Sequence, residues 1–418
     1  MKKKNQLPLP GRSIVLIFPR SSNNLFSGKR FATEILLKYL QSASWEVEQI
    51  HPPLLDRKSI NITTYHKLVM LVYIMIKTLI TWIESIRFIF SDKIIYINLS
   101  LSRLGILRDG FPLIIRGVMN YSSNGIVSFH GSNFLNWQAN DFTSRLLKLV
   151  LSGSKYVTVL GPSHVEKLIS LGISRDKIIV LDNTCLVPPL ERDNIIDKHK
   201  NCLVYSEFDC RLKPIQIVYL SSLIESKGYI KLVEAIKLLP KRFKKLEFRY
   251  NIFICGQLRS DFENFVFPTL EESKVWLDNQ IIEINDQFSH IHLEWINGIS
   301  GQEKTELLHE SHIFVLPTTY RVEAQPISIL EAIATGCAVI TTKVGEIPST
   351  LDENTAVLLE DVSPESISFA ILNLCYDIDF RSNLCVNALN LFNHRFSTQR
   401  HYENWNKILS SFDYSLET

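Results

Sequence analysis

Residues 313–348 constrain the fold of this chain more tightly than any other stretch. An apolar run, Ile313-Phe-Val-Leu-Pro317, leads into a loop, and a helix-forming segment starts at Pro326 and ends at Gly336. A second apolar run, Ala338-Val-Ile-Thr-Thr342, and a turn, Gly345-Glu-Ile-Pro348, follow. Proline suits the first turn of a helix, where its missing N–H costs nothing, and glycine suits the C-terminal cap. Strand, loop, helix, strand is the grammar of an open α/β sheet, which binds ligands just beyond the carboxyl ends of its strands. Two carboxylates, Glu323 and Glu331, straddle that turn. A fully helical path between them is about 12 Å at 1.5 Å per residue. A hydrolase pair flanks one bond at roughly 5–10 Å. The two glutamates are therefore better placed to hold two ends of one elongated ligand, with helix N–H groups facing a phosphate between them. On spacing alone, a solvated helix with two ordinary acids is the competing reading.

The same alternation recurs along the chain. Strand-like runs in the first half are Ser13–Phe18, Lys93–Asn98, Ile126–Phe129, Tyr156–Leu160 and Lys177–Leu181. In the second half they are Ile215–Leu220, Phe248–Gly256 and Ile291–Trp295, with helical stretches between them. That pattern predicts an α/β chain with parallel sheets. Its 418 residues suffice for two domains. We place them at 1–190 and 191–395, separated by the polar segment Leu190–Asn201, with residues 396–418 as a terminal helix.

Composition narrows the function. A formal charge of +2 gives no reason to expect nucleic acid as a partner. The seven cysteines are scattered and free of CxxC pairs, which favours a reducing, cytoplasmic setting. The histidines lack metal-ligand spacing, so no metal is expected. No G-x-S-x-G elbow is present. The start is polar as far as Ser13, without a signal-peptide core. Leu68–Ile76 and the residues after it are strongly apolar, but Lys77 and Glu84 leave the run short of the roughly 18–20 residues that span a bilayer. It reads either as a buried or part-exposed helix of the first domain or as an interfacial helix that meets a lipid-linked acceptor. The Lys2-Lys3-Lys4 start is compatible with contact to anionic lipid, a peripheral membrane association at the cytoplasmic face.

A second phosphate-like feature follows Ile215–Leu220. Ser221-Ser-Leu-Ile-Glu-Ser-Lys-Gly228 brings a lysine and a glycine to the mouth of a strand-to-helix turn, where the backbone can approach a phosphate closely. Further upstream, Gly28 opens a helix after the loop Pro19–Ser27, and His130-Gly131 ends the strand Ile126–Phe129.

Glu323-Ala-Gln-Pro-Ile-Ser-Ile-Leu-Glu331, together with Lys227-Gly228, resembles the signature of retaining glycosyltransferases of family 4, the glycosyl transferases group 1 with a Glu-x7-Glu motif. That resemblance implies the GT-B architecture, two Rossmann-like domains whose parallel sheets face an interdomain cleft. The first domain lies on the acceptor side, the second binds the nucleotide sugar, and the terminal helix crosses back to the first. It also implies roles. Glu323 contacts the transferred sugar, Glu331 holds the ribose, and the backbone at Gln325, Pro326 and Ile327 lines the diphosphate. Lys227 grips the diphosphate, while Ser222 stands where the family usually has a second cation. Gly28 lies near the donor phosphates and His130 positions the sugar. The implied activity is metal-independent, retaining transfer of a hexose from a UDP- or GDP-sugar, with no separate cofactor. The acceptor is the hydroxyl of a glycan or lipid-linked glycan, in bacterial surface polysaccharide or lipopolysaccharide assembly. A nucleotide-sugar-binding partner subunit without turnover, and a sugar-nucleotide epimerase on the same scaffold, fit the motifs as well.

Overall fold

The computed structural model describes residues 12–19, 28–53, 64–121, 123–200, 214–241, 249–259 and 266–412. They divide into two compact units, Met1–Asn183 with His401–Thr418, and Thr184–Arg400.

The first unit contains a six-stranded sheet made of β1 (Ser13–Ile17), β2 (Glu46–Ile50), β3 (Ile94–Asn98), β4 (Gly125–Ser128), β5 (Tyr156–Val159) and β6 (Ile178–Val180). Their order is β2-β1-β3-β4-β5-β6, and every ladder is parallel. Parallel strands need crossover helices, which cover both sheet faces. Hence β3 reads as an unbroken buried run, Ile-Ile-Tyr-Ile-Asn. Ile14 pairs with Val47 on one side and Ile94 on the other.

The helix Thr398–Ser410 closes the first unit's core: its Trp405, Ile408 and Leu409 pack with Ile14, Leu16 and Tyr96. Each such side chain removed from water contributes about 1.5–3 kcal/mol. Within that core His401 is held neutral. Its Nδ1–H donates to the Asp182 carbonyl at 2.9 Å, and its Nε2 accepts from the Trp405 indole N–H at 3.0 Å. Burial pushes its pKa down to about 4. A second proton would displace the Trp405 bond. Because the folded value lies below the unfolded one, stability is complete above pH 6.5 and declines as pH falls toward 4. We expect His401 to account for up to about 3 kcal/mol of that loss. Denaturant midpoints between pH 7 and 4.5 check this, with a flatter profile expected for His401→Gln.

The second unit repeats the plan with β7 (Ile215–Leu220), β8 (Tyr250–Cys255), β9 (Ile291–Ile296), β10 (Ile313–Leu316), β11 (Ala338–Thr342) and β12 (Val357–Leu359). Here the order is β12-β11-β10-β7-β8-β9, again all parallel. The chain runs outward from β7 through β8 to β9, then returns to the opposite side of β7 as β10. That reversal makes the crevice between β7 and β10 the topological switch point, where doubly wound sheets bind ligands.

One local expectation changes. The polar segment after Leu190 is not simply a spacer, because Arg192–Lys200 is a helix of the second unit with Ile195 and His199 buried. Those residues are one turn apart and face the core, while Arg381 donates to His199 Nδ1 at 3.0 Å. A single buried stripe on an otherwise charged helix gives little hydrophobic periodicity to read. Cys185, Cys255, Cys337, Cys375 and Cys385 are buried free thiols, whereas Cys202, Cys210 and most of the Pro19–Ser27 loop lie outside the described residues.

Candidate active site

The turn after β7 is built against the turn after β10. A short helical turn, Glu225–Lys227, ends at Gly228 in the left-handed region (φ 85°). A Cβ on Gly228 would stand 2.2 Å from the Pro317 carbonyl oxygen, so only glycine permits this approach. The Thr319 N–H then donates to the Ser226 carbonyl at 2.7 Å and ties the two loops together. Lys227 thereby reaches Glu323, and their side chains form an ion pair.

Glu323 is 8% exposed although it sits in a loop. Besides Lys227, its Oε2 has the Thr318 hydroxyl at 3.5 Å, and the Tyr320 ring centroid lies 4.8 Å from Lys227 Nζ. The following turn holds its backbone from behind. Gly345, at φ 61°, approaches so closely that a Cβ would be 2.2 Å from the Glu323 carbonyl oxygen. The Glu346 N–H donates to the Ala324 carbonyl at 3.0 Å.

The helix Ile327–Ala334 begins one residue later than proline at its first turn predicts. Pro326 is the N-cap residue, with an extended ψ of 122°. Its ring still fits because the capping residue donates no intrahelical bond. Gly336 follows the helix with positive φ, as the sequence suggests. The first N–H groups of this helix, from Ile327 onward, carry the partial positive charge that favours an anion. Gln325 turns its side chain away into the fold and donates to Thr350 Oγ1 at 3.1 Å, which leaves the backbone as the feature of this stretch that can meet a ligand.

Glu331 lies in the second turn of the helix, 4% exposed. Its Oε1 accepts from Lys304 Nζ at 2.5 Å. Burial pushes the carboxyl above its ordinary value, and Lys304 opposes that rise. The two glutamates are therefore held by lysines from different elements, Glu323 from the turn after β7 and Glu331 from the helix Gly301–Glu310 that follows β9.

Lys227, Glu323, Gln325, Pro326, Ile327 and Glu331 thus gather around one switch point. Ser222 lies on the same turn as Lys227, its carbonyl accepting the Ile224 N–H at 2.9 Å. Gly28 and His130 belong to the first unit. Gly28 is the first residue of the helix Gly28–Ser42, and His130 follows β4 and lines a small cavity with Tyr96, Asn183, His401 and Trp405.

Sequence reasoning missed Lys304 and Arg259. Lys304 looks like one more solvated charge on the helix Gly301–Glu310 until the fold sets it against Glu331. Arg259 follows β8, and its N–H donates to the Leu223 carbonyl at 3.0 Å, while the Leu223 N–H donates to Gln257 at 2.9 Å. A parallel bridge aligns Leu223 with Leu258, both packed toward the core, so alternation places Ser222 and Arg259 on the other face together. The Arg259 guanidinium is half-buried, makes no hydrogen bond or ion pair with the described residues, and is pulled below its ordinary pKa by burial.

Two six-stranded parallel sheets in Rossmann-like units fit the GT-B fold. Residues 207–390 match the model of the family Glycosyl transferases group 1. The chain is similar in structure to sucrose-phosphate synthase from Thermosynechococcus elongatus, with a TM-score of 0.65, 15% identity and coverage of 96% of this chain and 98% of that one. It is also similar to HepE from Anabaena in complex with UDP, at a TM-score of 0.61 and 12% identity over 95% and 100% of the two chains. A lipopolysaccharide outer core galactosyltransferase, WaaB, matches at a TM-score of 0.57 and 15% identity over 96% and 99%. At these identities the likeness is one of fold. No curated protein matches the chain.

Proposed function

We propose that the protein is a retaining, metal-independent glycosyltransferase that moves a hexose from a nucleoside-diphosphate sugar to an acceptor hydroxyl. The observation that carries this reading is the pair of lysine-anchored glutamates at one switch point, Lys227–Glu323 and Lys304–Glu331. Glu331 is the ribose holder, because a buried carboxylate beside a cation can accept from two vicinal hydroxyls. Glu323 meets the transferred sugar. The diphosphate lies against the Ile327 helix start and Gly228, with Pro326 and Gln325 contributing backbone. Gly28 and His130 keep the roles that the family pattern assigns, near the donor phosphates and the sugar.

In the reaction the bond from the anomeric carbon to the diphosphate oxygen breaks, and its electron pair leaves with the nucleoside diphosphate. The acceptor oxygen forms the new bond on the same face, and its proton passes to the departing phosphate. No protein nucleophile is needed. The enzyme's groups act by positioning and by stabilising charge on the leaving group.

That charge raises a question of balance. Lys227 and Lys304 are each neutralised by a glutamate. Among the described residues the Arg259 guanidinium, on the face of its loop shared with Ser222, has no carboxylate paired with it. We assign it to the diphosphate in place of the cation expected at Ser222. Arg259→Ala is expected to weaken nucleoside-diphosphate binding roughly tenfold or more, the worth of one charge-assisted hydrogen bond, with partial rescue by lysine. Unchanged affinity would remove Arg259 from the site.

UDP is the first base to test, since the HepE structures hold UDP and UDP-glucose. Surface polysaccharide or lipopolysaccharide assembly is the proposed setting, supported by the likeness to WaaB. A thermal-shift screen against UDP, GDP, ADP and their sugars tests the reading. A selective rise of a few degrees with one nucleotide, lost in Glu331→Ala, is expected. Binding without transfer to any glycan acceptor would favour a partner subunit, and a changed sugar without an acceptor would favour an epimerase.

A further inference from the structure

The helix Thr64–Ile89 of the first unit is built inside out. Its inward stripe, recurring every three or four residues, is Ile74, Thr78, Thr81, Ser85 and Phe88, and Thr81 and Ser85 are almost fully buried. Their hydroxyls are satisfied within the helix, donating to the Lys77 carbonyl at 2.9 Å and the Trp82 carbonyl at 2.8 Å. The large apolar side chains point the other way. Leu71, Tyr73, Met75, Ile76, Leu79 and Ile83 are 51%, 56%, 58%, 52%, 52% and 67% exposed. A surface helix ordinarily buries its apolar stripe and shows its polar one. An apolar surface of this extent marks an interaction site.

The apolar surface continues beyond the helix. Phe90 and Tyr121 pack edge to face at 5.5 Å, with Val118 and Met119 exposed beside Tyr121. The helix is anchored from behind where Trp82 stacks on Phe111 at 4.7 Å and donates to the Arg108 carbonyl at 3.1 Å.

We infer that this helix lies in the plane of an anionic lipid bilayer and docks the first unit onto it. Two features choose lipid over a protein partner. Between residues 71 and 80 large apolar side chains are exposed around most of the circumference, whereas a partner helix would cover one stripe. A liquid acyl boundary wraps a cylinder. The charge is also complementary: the first unit carries 24 Lys and Arg against 14 Asp and Glu, formally +10, although the whole chain is only +2. Lys77 lies among the exposed apolar side chains, and Arg87, which also pairs with Glu48 at 3.0 Å, lies at their end beyond the exposed Glu84. Both side chains are long enough to keep their charges at headgroup level. Among the described residues no helix is long and apolar enough to cross a membrane, which leaves the in-plane arrangement.

The inference stands apart from the donor chemistry, and so does its test. The full-length protein is sedimented with vesicles of phosphatidylglycerol and phosphatidylethanolamine, and in parallel with phosphatidylcholine alone. Binding is expected to the anionic vesicles, weakened by salt, and lowered roughly tenfold or more in I76D/I83D, which places two charges on one exposed face. Both positions are solvent-exposed, so nucleotide binding and thermal midpoint should match the parent and separate lost docking from lost folding. Absence of binding to anionic vesicles, or unchanged binding by the variant, overturns the inference. So does a dimer that I76D/I83D abolishes and that vesicles fail to dissociate, since the face would then belong to a second copy of this chain.

Discussion

Glu331→Ala is expected to weaken nucleotide-sugar binding by about 2–3 kcal/mol, roughly 30- to 150-fold in Kd, the worth of a charged hydrogen-bond acceptor lost from a desolvated site. The effect should fall on donor affinity because Glu331 is proposed to touch the ribose, which does not change during transfer. Lys304 then stands beside an empty position with its side chain only one-fifth exposed, and its stranded charge adds to the loss. The raised pKa of Glu331 supplies a second readout. Protonation removes the carboxylate as acceptor, so donor affinity should fall on acidification at a higher pH than an exposed glutamate would dictate. Glu331→Gln should bind weakly at every pH and lose that dependence. Isothermal titration with the nucleotide found by thermal shift checks both. A variant that binds like the parent removes Glu331 from the ribose.

Glu323→Gln should behave differently. Its carboxylate is fixed by Lys227 and Thr318 and its backbone by Gly345, a preorganised charge that costs no rearrangement when the sugar becomes cationic. Loss of one such preorganised group typically lowers kcat by about 10²–10³-fold. With Glu323 acting on the transition state, KM should move little, so kcat and kcat/KM should fall together. Lys227→Ala should lower both donor affinity and turnover if, as the family pattern implies, the lysine meets the diphosphate while its ion pair holds Glu323. Steady-state kinetics of the three variants separate these roles. Near-parent rates in Glu323→Gln would leave the glutamate with a structural task only.

Much of this architecture was legible in the residues. Runs such as Ile94-Ile-Tyr-Ile-Asn98 and Ile313-Phe-Val-Leu316 are buried on both faces, and a strand in that position has little choice but to be continuously apolar. Glycines at 228, 336 and 345 marked turns because the left-handed backbone there admits few other residues. The order of glutamates, proline and glycine between residues 323 and 336 located one turn and one helix, local features that local chemistry encodes.

Other features are pairings across distance. Lys304 and Glu331 lie 27 residues apart, and nothing in either neighbourhood announces the other. Arg259 became a candidate for the donor site only when β8 was laid beside β7, which brought its backbone to Leu223. The helix Thr64–Ile89 is the sharpest case. Its composition announced an apolar segment, yet a buried helix and an interfacial one have the same composition. Only the packing of Ile74, Thr78, Thr81, Ser85 and Phe88 against the first unit shows which side is turned out. By itself the sequence determined the elements, their alternation and the chemical types at the switch point, because each depends on neighbours a few residues away. The tertiary structure alone decided which charges neutralise one another and which apolar face meets solvent, because burial and ion pairing depend on atoms that the chain brings together only on folding.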